Sequence, residues 1–405
     1  MDKGSFPVVC AIALNYALGS SPRLSSLLRE NFNSAEEVFA LKGEARRLLF
    51  HNQSELQVLG DNSILDKAQK EYESLRGQGV SFLSIFDPAY PPLLKECPDA
   101  PILLYIRSSS RPEELFRADC YISIVGTRQM DRYGRDWTRR MVYAISRSAQ
   151  KCVIVSGLAI GADITAHLAA LEYGLPTIAV SPVGIDTVYP SSHRRYADTI
   201  ARSPLSAIVT DYPCDTIAYP GNFLRRNRII AGLAHSTILI ESRLRGGGMM
   251  TCRLASSYNR QVFALPGRLD DALSQGCNSL IDKNIAYPIF SIDSLLENLG
   301  LSSADKKTGG AQALIQALGS LVQPSDSDIL SLCLRIVAQV CDSPDCDIET
   351  LCVTLDIPYS TASSSVKLLE CASILEQDLL GRLSIREEFF CPSLAKKIRS
   401  YLKRI

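Results

Sequence analysis

The chain has 405 residues, 46% hydrophobic and 21% charged, with 43 Lys and Arg balanced by 43 Asp and Glu. That length and composition exclude a disordered chain and fit two or three globular domains with at least one sizeable core. The zero net charge hides an asymmetry: residues 121–268 carry 18 Lys and Arg against 9 Asp and Glu, while the rest carry 25 against 34. Of those 18 cations 17 are arginine, which points that segment toward a polyanion.

Residues 1–75 show apolar positions at helical spacing, among them Leu14, Leu18, Leu24, Leu28, Phe32 and Val38, broken near Pro22 and Ser34. They predict a small helical domain, with one more helix over 61–76. The apolar start at 6–18 resembles a signal-peptide core but lacks its flanks, and reads as a buried helix. No stretch has the length of a membrane span.

From residue 80 the pattern becomes strand–helix alternation. Strands are predicted at 80–85, 102–106, 121–125, 152–156, 176–181, 207–211, 237–241 and 261–265. Helices are predicted at 133–147, 163–173, 194–202, 222–234 and 250–259. The strands are near-continuous apolar runs, as in a sheet covered on both faces, so the fold class is α/β: a doubly wound, parallel, extended Rossmann-like sheet over 77–300. A polar linker follows at 301–325. Over 326–405, helices at 328–341, 348–355 and 360–371 and a hairpin at 374–385 have the order of a winged helix. A terminal helix then places Leu394, Ile398, Leu402 and Ile405 on one face amid lysines and arginines. It reads as packing on its own domain.

In such a sheet, ligands bind outside the carboxyl ends of the strands. Three glycine turns fall there: Gly126-Thr127-Arg128, Ser156-Gly157 through Gly161, and Gly246-Gly247-Gly248 before Thr251. Glycine admits close backbone approach, and helix N-termini favour anions. Beside them stands the turn Phe223-Leu224-Arg225-Arg226-Asn227-Arg228, whose planar guanidinium groups suit phosphate oxygens. A dinucleotide fingerprint and a P-loop are both missing, so several sockets along a phosphate backbone are expected rather than one nucleotide cofactor. Asp163 and His167 stand one helical turn apart and are weighed as an acid–base pair against a helix cap with a buried histidine; the second reading is preferred. The thirteen cysteines show no repeated spacing, and Cys333, Cys341, Cys346 and Cys352 lack a partner histidine. Reduced thiols in a cytoplasm, no metal and no cofactor are expected.

The motifs at 87–94, 124–128, 156–163 and 226–232, with those at 262–267 and 276–281, resemble the DNA-processing protein A (DprA/Smf) family in order over about half the chain. The resemblance implies a core that binds single-stranded DNA without catalysis. It implies a homodimer, RecA and SSB as partners in transformation and recombination, and accessory domains of helical (SAM-like or helix-hairpin-helix-like) and winged-helix type. By motif position it implies that Arg128, Arg226, Asn227 and Arg228 grip phosphates and that Phe223 stacks on a base. The competing reading is a nucleotide-hydrolysing phosphoribohydrolase-like enzyme. Those enzymes carry a glutamate soon after their glycine turn, and here none occurs between Thr251 and Arg260. A transcription factor acting through the winged helix is disfavoured because the predicted reading helix holds Lys367 as its one cation.

Overall fold

The computed structural model describes residues 5–18, 22–44, 47, 50, 59, 61–301, 314, 317–318, 327–343, 346–386, 389 and 394–403. It divides into two compact units, residues 1–302 and 303–405.

The first unit opens with helices α1 (Phe6–Leu18), α2 (Pro22–Asn31), α3 (Ala35–Ala40) and α4 (Asn62–Gly77). Residues 9–15 of α1 are all buried, which explains why its apolar residues form a run instead of a stripe. A nine-stranded sheet follows, built from β1 (Val80–Ser84), β2 (Leu103–Arg107), β3 (Cys120–Val125), β4 (Cys152–Ser156), β5 (Thr177–Val180), β6 (Ala207–Thr210), β7 (Ser236–Leu239), β8 (Gln261–Ala264) and β9 (Tyr287–Pro288). Its order is β1-β2-β6-β5-β4-β3-β7-β8-β9. All pairs from β6 to β9 are parallel.

The crossover helices are α5 (Arg132–Ser146), α6 (Ala162–Glu172), α7 (Arg194–Arg202), α8 (Pro220–Leu233) and α9 (Gly247–Ser257), followed by α10 (Gln275–Asp282) and α11 (Ile292–Asn298). Successive strand residues feed opposite faces. Tyr121, Val125, Val153 and Val155 join one core with residues of α8 and α9, while Ile122, Ile124 and Ile154 join another with Met141, Val142 and Ala166 of α5 and α6. Burial on both faces is why these strands read as continuous apolar runs.

The structure departs from the fully parallel expectation at one edge. β1 pairs with β2, and β2 with β6, in antiparallel register. The β1–β2 connection carries only the one-turn helix Pro92–Lys95, too little for the crossover a parallel pair requires. The helical segment expected at 1–76 is not a separate unit either. Val9, Ile12, Leu14 and Leu28 share a core with Leu103, Tyr105, Ala179 and Ile208 of the sheet, and Asn15 Nδ2 donates to the Asp211 carbonyl at 2.9 Å.

The expected linker lies almost wholly outside the described residues. In the second unit α12 (Ser327–Asp342), α13 (Ile348–Leu355) and α14 (Tyr359–Cys371) precede an antiparallel pair, β10 (Leu375–Gln377) and β11 (Leu383–Ile385), then α15 (Leu394–Leu402). Asp347 caps α13 by accepting from Thr350 N at 2.8 Å. Leu394 and Ile398 of α15 are buried in this unit's own core with Cys333, Cys346 and Leu369, and Arg399 ion-pairs with Asp342. Ile405, counted on that face from sequence, lies outside the described residues. Among the described residues, no helix is long and apolar enough to cross a membrane.

Candidate nucleic-acid interface

A pocket of about 330 Å³ opens at the carboxyl ends of β3 and β7. Its wall comes from Gly126, Thr127 and Arg128 after β3, Asp163 of α6, Phe223, Arg226 and Asn227 of α8, and Arg243, Arg245, Gly247, Gly248 and Thr251 around the start of α9. Two of the three glycine turns therefore face it. The third builds it from behind. Ser156 is fully buried and donates to the Ile124 carbonyl at 2.6 Å. Gly157 lies against the Arg226 guanidinium, where an added Cβ would stand 2.1 Å from Nη1. Gly161 takes φ +84° and brings its backbone against the Thr127 carbonyl, to which Ala162 N donates at 3.1 Å. The N-terminus of α6 is thus occupied by protein. That of α9 has no side-chain cap, so its first N–H groups remain for an anion.

The arginine turn divides. Arg226 is buried; its Nη1 donates to the Gly157 carbonyl at 2.6 Å and the Val180 carbonyl at 2.5 Å. Burial pushes its pKa down to about 10, with nearby Arg128 adding to the shift and Asp163 opposing it. Arg226 touches the pocket wall with Nη1 held by these two carbonyls, while its Nε is buried without a partner among the described residues. Arg228 does not reach the pocket. It is buried in an ion pair with Asp211, which is also buried, and donates to the Asp99 carbonyl. The phosphate role expected for Arg228 gives way to a structural one. Arg225 lies on the outer side of α8, its guanidinium 5.8 Å from the Tyr212 ring centroid. Consecutive residues step about 100° around the axis, which turns Arg226 away from Arg225. Arg228, three positions on from Arg225, differs from it in burial, being enclosed with Asp211 while Arg225 stays exposed. Asn227 keeps its expected position: it is 8% exposed, lines the pocket and makes no side-chain hydrogen bond among the described residues.

Phe223 is half-buried at the mouth. The Arg128 guanidinium stands 5.2 Å from its ring centroid, and Tyr189 meets it edge-on at 5.1 Å. Arg243 and Arg245 were not singled out from sequence. Both are exposed, and neither has an ion-pair partner among the described residues. Their signal was available as two loop arginines immediately before Gly246-Gly247-Gly248. With Arg128 they form a cationic rim above the α9 N-terminus, suited to charge-assisted contacts with phosphate oxygens.

Asp163 and His167 form no hydrogen bond with each other. Asp163 Oδ2 accepts from Ala159 N at 3.3 Å, and His167 Nδ1 meets Thr177 Oγ1 at 2.7 Å. Burial, with Arg226 and His193 nearby, lowers the His167 pKa to about 3. Burial raises that of Asp163 against the pull of Arg226. The imidazole is fully buried and held neutral, its Nε2 has no partner among the described residues, and it does not line the pocket.

The family model of DNA recombination-mediator protein A matches residues 81–300. This chain belongs to that family. Protein Smf of Synechocystis is 34% identical over 71% of this chain and 72% of its own length. DNA processing protein DprA of Streptococcus pneumoniae is 36% identical over 53% of this chain and 73% of its own. The X-ray structure of DNA processing protein A from Streptococcus pneumoniae covers 70% of this chain and 95% of its own, with a TM-score of 0.59 and 30% identity. The matched family segment takes in the nine-stranded sheet except Val80 at its edge, and every pocket residue named above.

Proposed function

We propose that this chain binds single-stranded DNA in the pocket at the β3 and β7 ends and acts as a recombination mediator. The observation that carries the reading is the rim of Arg128, Arg243 and Arg245 over the uncapped N-terminus of α9, with Phe223 beside it. Exposed guanidinium groups track a phosphate backbone, and a half-exposed aromatic ring at the same mouth offers a stacking surface to a base that is free of a duplex. Membership of the DNA recombination-mediator family supports the same reading. The Asn227 amide, without a side-chain hydrogen bond among the described residues, supplies a further polar contact at the pocket wall.

The finer reading follows the resemblance. A homodimer holds the strand in the cytoplasm and delivers RecA to strands coated by SSB, and the pocket performs no chemistry. The test compares single- and double-stranded oligonucleotides of equal length. Tight binding of the single strand, with weaker binding of the duplex, is expected; equal affinity for both overturns the reading. A RecA filament-assembly assay on SSB-coated strands, with and without the protein, tests the mediator role. Release of base or phosphate from nucleoside monophosphates by the purified protein would instead favour the hydrolase reading.

A further inference from the structure

A second cationic surface lies outside the pocket. Helix α7 displays Arg194, Arg195 and Arg202 in solvent, and none of the three has a side-chain hydrogen bond or ion pair among the described residues. Arg195, Thr199 and Arg202 follow the four-then-three spacing of a single helical face. They line a shallow depression of about 500 Å³ with Asp198, Ser203 and Pro204. Asp198 is the acid in it, and it is ion-paired at 3.4 Å with Arg107, whose Nε and Nη2 are buried without partners. The depression is therefore cationic on balance.

This surface connects to the pocket through aromatic side chains. Phe223 at the pocket mouth meets Tyr189. The next residue, Pro190, accepts from His193 N at 2.9 Å, and the His193 ring meets Tyr196 edge-on at 5.7 Å. Tyr189 and Tyr196 are both more than one-third exposed. Arg194 and Arg195 stand between His193 and Tyr196 in sequence, and Arg202 lies two helical turns beyond Arg195, about 10 Å along the axis. The path begins at Arg128, passes the rings of Phe223, Tyr189 and Tyr196, and ends at Arg195 and Arg202. Cationic groups with stacking rings between them are how a groove holds a single strand without reading its sequence.

We infer that the strand leaving the pocket at Phe223 continues over Tyr189 and along α7, where Arg194, Arg195 and Arg202 take further phosphates. The inference rests on the single-strand reading of the pocket. It makes the site longer than the pocket and gives affinity a dependence on strand length.

The test uses the full chain, homopolymeric thymidine oligonucleotides of about 4 and about 16 nucleotides, spanning the usual range of single-strand site sizes, and salt titrations. The double variant Arg195→Ala, Arg202→Ala should bind the short oligonucleotide as the unsubstituted protein does. On the long one it should lose affinity, and its slope of log K against log salt should shrink by about 1.4, at about 0.7 per phosphate contact. Restoring charge with Arg195→Lys, Arg202→Lys should restore most of the slope. Arg128→Ala should weaken both oligonucleotides. A double alanine variant with unchanged slope and affinity on the long strand overturns the track while leaving the pocket standing. If Arg128→Ala changes neither oligonucleotide, the pocket reading fails and the track falls with it. Thermal melts of each variant separate a lost contact from a lost fold.

Discussion

Two layers of arginine meet at one end of this sheet and differ in almost every physical respect. The inner layer, Arg226 and Arg228, is buried and committed to Gly157, Val180, Asp99 and Asp211. The outer layer, Arg128, Arg243 and Arg245, faces solvent and has no carboxylate partner among the described residues. A buried guanidinium is held by the groups that offset its desolvation, whereas an exposed one is free to exchange water and counterions for phosphate. On the proposed reading the inner layer shapes the site and the outer layer meets the ligand.

The sharpest way to break this division is to remove the partner of Arg228. Asp211→Ala leaves a buried guanidinium unpaired, and should cost about 3–5 kcal/mol in urea unfolding. Replacing both partners together, with Arg228→Met and Asp211→Leu, should cost much less. If Asp211→Ala leaves stability unchanged but abolishes DNA binding, the inner layer is not structural. A smaller effect concerns the acid behind the pocket. Glu241 is buried beside Asp131, with Oε1 unpartnered and Oε2 accepting from Asp131 N at 3.1 Å. Burial, and Asp131 alongside, push its pKa well above the ordinary 4.5. Its folded form is thus the protonated one. Its contribution to stability is complete below about pH 4.5 and is lost as the pH rises through neutrality. Unfolding measured from pH 5 to pH 9 should show this decline, and Glu241→Gln should flatten it.

In the outer layer the effects fall on binding. Phe223→Ala should weaken single-strand binding by about 1–3 kcal/mol with the salt slope unchanged, as expected for a lost stack. Arg243→Ala and Arg245→Ala should move folding stability by less than about 0.5 kcal/mol. Each should reduce the salt slope by about 0.7. A large drop in melting temperature for either rim variant would place it in the inner layer after all.

The sheet was largely legible from sequence because its strands are apolar runs and its crossovers are helical in period. All eight predicted strands are present. The two-residue β9 was too short to give a pattern, and the antiparallel edge depends on a connection whose direction apolar periodicity does not encode. The candidate pocket was legible in outline, since the first and third glycine turns line it, and less so in the placing of its arginines. Glycines at strand ends located the pocket, but glycine serves protein and ligand approaches equally: Gly247 lines the pocket while Gly157 makes room for Arg226. Arginines adjacent in sequence looked like one cluster, yet a helix distributes Arg225, Arg226 and Arg228 to three surroundings. Burial decides which of them meets a ligand, and burial is a tertiary property.

The hydrogen bond from Asn15 to the Asp211 carbonyl bears on how this chain can be shortened. The family match begins at residue 81, which invites a cut there. Such a cut would remove a donor to the backbone of the residue that holds Arg228, and would strip Leu103, Tyr105 and Ile208 of their cover. The boundary of homology and the boundary of the folding unit do not coincide. A shortened version that spares the site must keep the first helix.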